Sequence, residues 1–251
     1  KKKFEVLQKV RKVKGTNDLF GKEILAHNFI EEHFIRACKS FNFKQISTPI
    51  LEHSDIFTRS LGSTSDIVSK EMYNFIDQGS ESLVLRPEGT AALARAIVSN
   101  SLHQENNKFF YFGPMFRRER PQSGRLRQFH QVGVEYVGKT NYLYDLEVII
   151  LAEKFLGEIG IRDKLVLEIN TLGNEQSRSL YNKSLKEFLI NNSTSLSETS
   201  KKRLQKNPLR ILDSKESEDQ EIIVKSPDIK NYLDPESKNF FESLINGLDK
   251  L

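Results

Sequence analysis

Between Gly21 and Phe41 the apolar residues Ala26, Ile30, Phe34, Ala37 and Phe41 recur at spacings of three and four, with Glu31, Glu32, Arg36 and Lys39 off that stripe. The spacing predicts a long amphipathic helix. It runs into FKQISTPILE, where β-branched residues precede Pro49, a residue suited to the edge or end of a strand. EMYNFID and SLVLRPE flank Gln78-Gly79 and read as a hairpin whose second strand stops at Pro87. Thr90 then offers a cap for a helix running through Arg95 and Ile97. Glu88 is left in the turn between strand end and helix start, a usual place for a residue that meets a ligand.

A longer hairpin follows. In FFYFGPMFRRERPQSGRLRQFHQVGVEYVG, Phe109 to Gly138, two aromatic-rich runs are joined by a basic tip at roughly Arg120 to Arg127. Successive strand side chains point to opposite faces, so Arg117 and Glu119 share a face on the outgoing strand. Arg127, Phe129, Gln131, Gly133 and Glu135 share one on the return. A solvated charge run accounts for the tip but not for a face that sets a Phe and a Gly between a Gln and a Glu. A pocket for a flat ring, a phosphate and a small polar molecule does.

YDLEVIILAEKFLGEIGI has helical spacing, and LVLEINTLG reads as a strand. Hairpins and flanking helices, in place of strict βαβ alternation, predict an α+β fold around an antiparallel sheet. Beyond Gly173 the composition turns to Ser, Asn, Lys and Glu with short helical patterns, and NNSTSLSETSKKRLQKNP reads as a linker between helices. A domain boundary is expected near Leu172, giving a first domain over 1–172 and a second, helical one over 173–251. No internal repeat is visible.

Composition narrows the picture. A chain of 251 residues has room for one large domain with an appendage. No apolar run approaches a membrane span and no leader segment opens the chain, so a soluble, cytoplasmic protein with no membrane partner is expected. The single cysteine, Cys38, cannot form an internal disulfide and falls at helical spacing from apolar residues, which places it in a core. The five histidines are scattered without Cys pairs or His-x-x-x-His spacing, so any metal should arrive with a ligand. The 38 basic and 34 acidic residues give a net charge of +4, which suits a polyanionic partner without requiring one. The start at Lys1 and the ending INGLDKL predict a fragment of a longer protein.

With the long hairpin placed, a strand ending in Arg-x-Glu, a variable loop and a return strand bearing Phe resemble the second signature motif of class II aminoacyl-tRNA synthetases. GPMFRRERPQSGRLRQFHQVGVE is similar in its wording to the histidyl-tRNA synthetases, and KGTNDLF, LVLRPEGTAALAR, NPLRILDSK and YLDPES agree with that family in order. The resemblance covers nearly the whole chain. It implies a class II synthetase-like catalytic core over 1–172, lacking the third motif, and a small helical insertion domain over 173–251. Arg117 would meet the α-phosphate of ATP and act in catalysis, Glu119 and Arg125 would hold the nucleotide, and Phe129 would stack on adenine. Glu88, Thr90, Gln131 and Glu135 would hold histidine, and Arg120 and Gln122 would contact tRNA(His). Mg2+ would accompany ATP. The first helix and the strand before Pro49 match the family's subunit interface, which implies a homodimer. A histidine-binding loop, a third motif with its ATP-binding arginine and an anticodon-binding domain have no counterpart in these residues, so the site is expected to be incomplete and the chain alone inactive.

Each assignment has a plainer reading. Arg117 and Glu119 could form a cross-hairpin ion pair, Phe129 could fill the core, and Thr90 could serve only as a helix cap. Tyr73 and Tyr111 read as core, His130 as structural, and Arg127 has no assigned role. The leading expectation is a histidine–tRNA ligase; the main alternative is a non-catalytic, histidine-binding regulatory paralogue of histidine biosynthesis, and a general RNA-binding module is a third. The basic tip and residues 174–251 favour the enzyme over the regulator, and Glu88, Gln131 and Glu135 favour it over the RNA-binding module.

Overall fold

The computed structural model describes residues 11–62, 65–102 and 107–251. They form two compact units, one built from the residues up to Thr140 with Glu147–Lys164, the other from Asn141–Leu146 with Leu165–Leu251. The division falls at Lys164, somewhat before Leu172.

In the first unit, helix α1 (Lys22–Ser40) leads into the short strands β1 (Lys44–Gln45) and β2 (Leu51–His53) on either side of Pro49. Helix α2 (Ser54–Leu61), the hairpin β3 (Tyr73–Ile76) and β4 (Ser82–Leu85), and helix α3 (Thr90–Ser99) follow. Strands β5 (Asn107–Phe116) and β6 (Gln128–Val137) make the long hairpin, and helix α4 (Tyr142–Glu158), which belongs to this unit from Glu147 on, comes after it. The strands fall into two sheets of three among the described residues, β1-β5-β6 and β2-β4-β3. Every pairing is antiparallel except β1 with β5.

The β5–β6 ladder runs from Asn107 opposite Val137 to Phe116 opposite Gln128. On one face Phe110 packs with Phe34, Ala37 and Cys38 of α1 and Leu151 and Phe155 of α4, and Phe34 meets the Phe110 and Phe155 rings edge-on at 5.8 and 5.3 Å. On the other face Phe109, Tyr111 and Met115 pack on Leu93 and Ile97 of α3. Alternation along β5 therefore buries both faces, which is why this strand reads as nearly continuous apolar sequence. Cys38 is a core residue as expected, and burial pushes its thiol up to about 12. The α1 stripe turns inward only in its C-terminal half: Ala26 and Ile30 are exposed, as are Leu25 and Phe29 beside them.

Two expectations fail. LVLEINTLG forms no strand, and Leu165, Val166 and Leu167 are exposed. The stretch expected as a linker holds a helix. The second unit holds helices α5 (Glu175–Asn191), α6 (Glu198–Lys206), α7 (Ser217–Ile223) and α8 (Pro235–Leu248), and α5 and α7 contribute to a core of Tyr181, Leu185, Leu189, Leu196, Ile211, Ile222 and Ile229 against which Leu204 of α6 packs. Ser197 starts α6 by accepting the Ser200 N–H at 3.1 Å. Beneath it the buried Asp219 carboxylate accepts the Ser197 N–H at 2.9 Å and the hydroxyls of Ser197, Ser200 and Ser214 at 2.8, 2.6 and 2.5 Å. Burial alone would raise this acid, but the four donors outweigh it and hold Asp219 down at about 2. A polar-looking segment is thus ordered by a charge that sequence periodicity does not register.

Candidate active site

The turn after β4 brings strand end and helix start together at Pro87 to Thr90. Glu88 is buried, and its two carboxylate oxygens accept the backbone N–H groups of Thr90 and Ala91, each at 2.7 Å. Glu88 therefore caps α3, in place of the Thr90 side chain expected to do so, because its carboxylate reaches two unpaired donors of the first turn. That frees the Thr90 hydroxyl, which donates to Glu135 Oε1 at 2.6 Å. Burial raises the Glu135 carboxyl, the Thr90 hydrogen bond opposes that, and the nearby Glu88 charge adds to it.

Gln131, Gly133 and Glu135 lie on one face of β6, as alternation predicts, opposite Gly113, Tyr111 and Phe109 of β5. Gln131 Oε1 is buried without a hydrogen-bond partner. A buried amide oxygen left unpaired costs about 1–3 kcal/mol, so this one marks a place that a donor on a ligand would complete. Glu88, Thr90, Gln131 and Glu135 thus present two carboxylates, a hydroxyl and an open amide oxygen, a set suited to an ammonium group and other N–H donors.

Tyr111 belongs to the same cluster, though sequence reasoning assigned it to the core. It is buried, and burial pushes its phenol up. Its ring fills the space that side chains at Gly89 and Gly133 would need: a Cβ at either position would lie 2.2 Å from Tyr111 Cζ. Gly113 leaves similar room for Arg86, whose Nη2 would sit 2.5 Å from a Cβ there. The buried Arg86 donates to the Pro114 carbonyl at 3.0 Å and the Thr48 carbonyl at 2.7 Å, tying the turn to both sheets. The glycines at alternate positions of the hairpin were the available signal for these two residues.

Beyond this cluster Arg117 donates through Nε to the Pro87 carbonyl at 2.9 Å, and its guanidinium lies over the Phe129 ring, 5.2 Å from the centroid. Its two Nη groups make no hydrogen bond or ion pair among the described residues, so a fixed cation stands beside Glu88 with its fork open. Phe129 also packs against the Phe109, Tyr111 and Met115 cluster, so it is at once part of the core and the platform for Arg117. The cross-hairpin pairing considered for Glu119 runs to Arg125 Nη1, at 3.4 Å, and not to Arg117.

The basic tip is an ordered turn. Gln122 and Arg125 bridge through reciprocal backbone hydrogen bonds of 3.2 and 3.0 Å around Ser123-Gly124, with Gly124 at φ +76°. Arg120 and Gln122 are exposed. Arg127 is structural: its Nε donates to the Glu119 carbonyl at 3.3 Å and its N–H to the Gly15 carbonyl at 2.7 Å. His130 lies on the opposite face of β6, against Phe112 and His27 at 5.6 and 4.3 Å between ring centroids. Among the described residues no group of three or more His, Cys, Asp or Glu side chains could hold a metal ion, and no helix is long and apolar enough to cross a membrane.

Residues 15–175 match the family model described as histidyl-tRNA synthetase. Histidine–tRNA ligases of Streptococcus pneumoniae strain P1031 and of Rhodospirillum rubrum are each 46% identical, over 97% and 95% of this chain and 57% and 58% of their own lengths. The chain spans little more than half the length of these relatives. The crystal structure of apo histidyl-tRNA synthetase from Staphylococcus aureus superposes with a TM-score of 0.72 at 30% identity, over 96% of this chain and 55% of that one. An ATP phosphoribosyltransferase regulatory subunit/histidyl-tRNA synthetase from Bacillus halodurans shares the fold, with a TM-score of 0.61 at 21% identity, over 96% of this chain and 65% of that one. The hairpin with its Arg-x-Glu exit, the capped turn at Glu88 and the polar face of β6 all lie inside the matched span, and the chain belongs to the histidyl-tRNA synthetase family.

Proposed function

We propose that the whole protein is a cytoplasmic histidine–tRNA ligase that activates histidine with ATP and esterifies the histidyl group to tRNA(His). The observation that carries this reading is the open guanidinium fork of Arg117, fixed by Pro87 and Phe129, on the same hairpin as the unpaired Gln131 Oε1. In the first step an oxygen of the histidine carboxylate attacks the α-phosphorus of ATP. A P–O bond forms as the bond to pyrophosphate breaks, and negative charge grows on the non-bridging oxygens. A guanidinium already in place stabilises that charge without reorganising. In the second step a ribose hydroxyl of the tRNA attacks the mixed anhydride and AMP leaves.

Glu88, Thr90, Gln131 and Glu135 hold the amino acid, with Glu135 and Gln131 toward its N–H donors. Phe129 and Arg117 flank the adenine and α-phosphate, and opening of the Glu119–Arg125 pair gives the nucleotide both side chains. Mg2+ enters on the phosphates of ATP. Arg120 and Gln122 meet the acceptor end of the tRNA from the exposed tip. The exposed Leu25, Phe29 and Ile30 of α1 supply the apolar surface of a homodimer.

The regulatory alternative binds histidine without activating it. The relatives at 46% identity are described as histidine–tRNA ligases, which favours the enzyme. Pyrophosphate exchange into ATP, assayed on the complete protein with each amino acid in turn, separates the two. Exchange is expected with histidine and not with the others, because a ligand that leaves the Gln131 amide oxygen unpaired loses about 1–3 kcal/mol. Histidine binding without exchange would favour the regulator.

A further inference from the structure

Arg86 follows β4 directly and takes up the open edge of β5. Strand β1 covers that edge only at Phe109 and Phe110, where the Ile46 N–H donates to the Phe110 carbonyl at 2.9 Å. Alternate residues of a strand turn their backbone groups to the same edge, so Pro114 and Phe116 face it too. There the Arg86 carbonyl accepts the Phe116 N–H at 3.0 Å, and the guanidinium donates through Nε to the Pro114 carbonyl at 3.0 Å. On its other side the Arg86 N–H donates to the Ile50 carbonyl at 2.9 Å, and Nη1 reaches the Thr48 carbonyl and hydroxyl at 2.7 and 3.0 Å. Arg86 thus joins the β5 edge to the segment entering β2. The next carbonyl, that of Pro87, fixes Arg117 Nε, and the residue after it is the capping Glu88.

We propose that Arg86 is a positioning residue for amino acid activation, holding the Pro87 carbonyl at the place from which it aims the Arg117 fork at the α-phosphate. The proposal rests on the ligase reading and adds to it a residue that touches no substrate. Fold stability alone is a poor reason for an arginine here. The buried guanidinium meets neutral acceptors, and the carboxylate whose charge acts on it, Glu52, is itself paired with Arg95. A buried cation without a counter-ion of its own gains the fold little, because desolvation offsets its hydrogen bonds. Burial accordingly pulls the Arg86 ionisation down, and the Glu52 charge opposes that. What the guanidinium does supply is a rigid planar fork that fixes acceptors on two separate segments at once. Gly113 keeps the place of that fork clear, since a Cβ there would lie 2.5 Å from Nη2. Pro87 has no N–H to anchor it, so its carbonyl is set by Arg86 before it and Glu88 after it.

The test is histidine-dependent pyrophosphate exchange by the complete protein carrying Arg86→Lys, Arg117→Ala or both, with the crystal structure of the Arg86→Lys protein alongside. Lysine keeps the charge but cannot hold the Pro114 and Thr48 carbonyls together. A catalytic group misplaced by about 1 Å can cost about a hundredfold, so Arg86→Lys should lower kcat by about tenfold to a hundredfold while the KM for histidine stays close to the parent's. Added to Arg117→Ala it should cost little more, since its effect passes through a side chain already removed. In the crystal, Arg117 Nε should leave the Pro87 carbonyl while the strands of both sheets stay in place. Should Arg86→Lys fail to fold, Gly113→Ala, which crowds Nη2 with Arg86 intact, carries the same expectations. A lower melting temperature with kcat at the parent's value, losses that multiply in the double variant, or Arg117 still on the Pro87 carbonyl in the variant crystal would each overturn the proposal. Absence of exchange by the unmodified complete protein rejects the ligase reading separately, and the place of Arg117 in the variant crystal then decides whether Arg86 positions it.

Discussion

At the scale of single residues, the polar chemistry of both units rests on buried carboxylates that are fully engaged. Asp219 gives the clearest test. Its folded titration lies near 2 against an ordinary 3.8, so its contribution is complete above that ordinary value and is lost as the pH falls toward 2. The shift corresponds to roughly 2 kcal/mol. Asp219→Asn should therefore destabilise the helical unit by about that much in urea unfolding at neutral pH, and the gap between variant and parent should close on acidification. An equal gap at pH 7 and at pH 2 would contradict the charged network. Near the site, Gly133→Ala should displace the Tyr111 ring, since a Cβ would fall 2.2 Å from it, and should raise the apparent KM for histidine together with a loss of stability. The face carrying Phe129, Gln131 and Glu135 was legible from alternation, because a strand's side-chain period admits only two assignments. The capping role of Glu88 and the place of Tyr111 were not, because each depends on which backbone lies opposite, and a lone tyrosine in an apolar run looks like filler.

At the scale of elements, the long hairpin and α1 carry both the successes and the failures of sequence reasoning. The two hairpins were read correctly because Gln78-Gly79 and the Pro/Gln/Ser/Gly cluster are strong turn signals between alternating runs. LVLEINTLG has the same alternation and forms no strand, since alternation specifies a half-buried ribbon but not its neighbour. The stripe of α1 was legible as amphipathic, but its division was not: Phe34 and Ala37 are buried, while Phe29 is 46% and Leu25 67% exposed. If this outer half forms the subunit interface, Leu25→Glu/Phe29→Glu should convert a dimer to monomers in sedimentation at micromolar concentration while the far-UV spectrum stays the same. Parent and variant sedimenting alike would remove α1 from the interface.

At the scale of the whole molecule, the chain spans 57% of a ligase to which it is 46% identical, and activity is therefore proposed for the complete protein. The 251 residues alone hold Arg117, Phe129 and one wall of polar acceptors. Loss of a single pre-positioned donor typically costs about a hundredfold or more in rate, so these residues by themselves should exchange pyrophosphate at least that much more slowly than the complete protein. The central claim is that Arg117 stabilises the α-phosphoryl group during attack, and the most direct measurement is histidine-dependent pyrophosphate exchange by the complete protein carrying Arg117→Ala. Exchange should fall by about a hundredfold or more with the melting temperature within a few degrees of the parent's. Exchange at the parent's rate would show that the open guanidinium beside Glu88 is not the phosphate site.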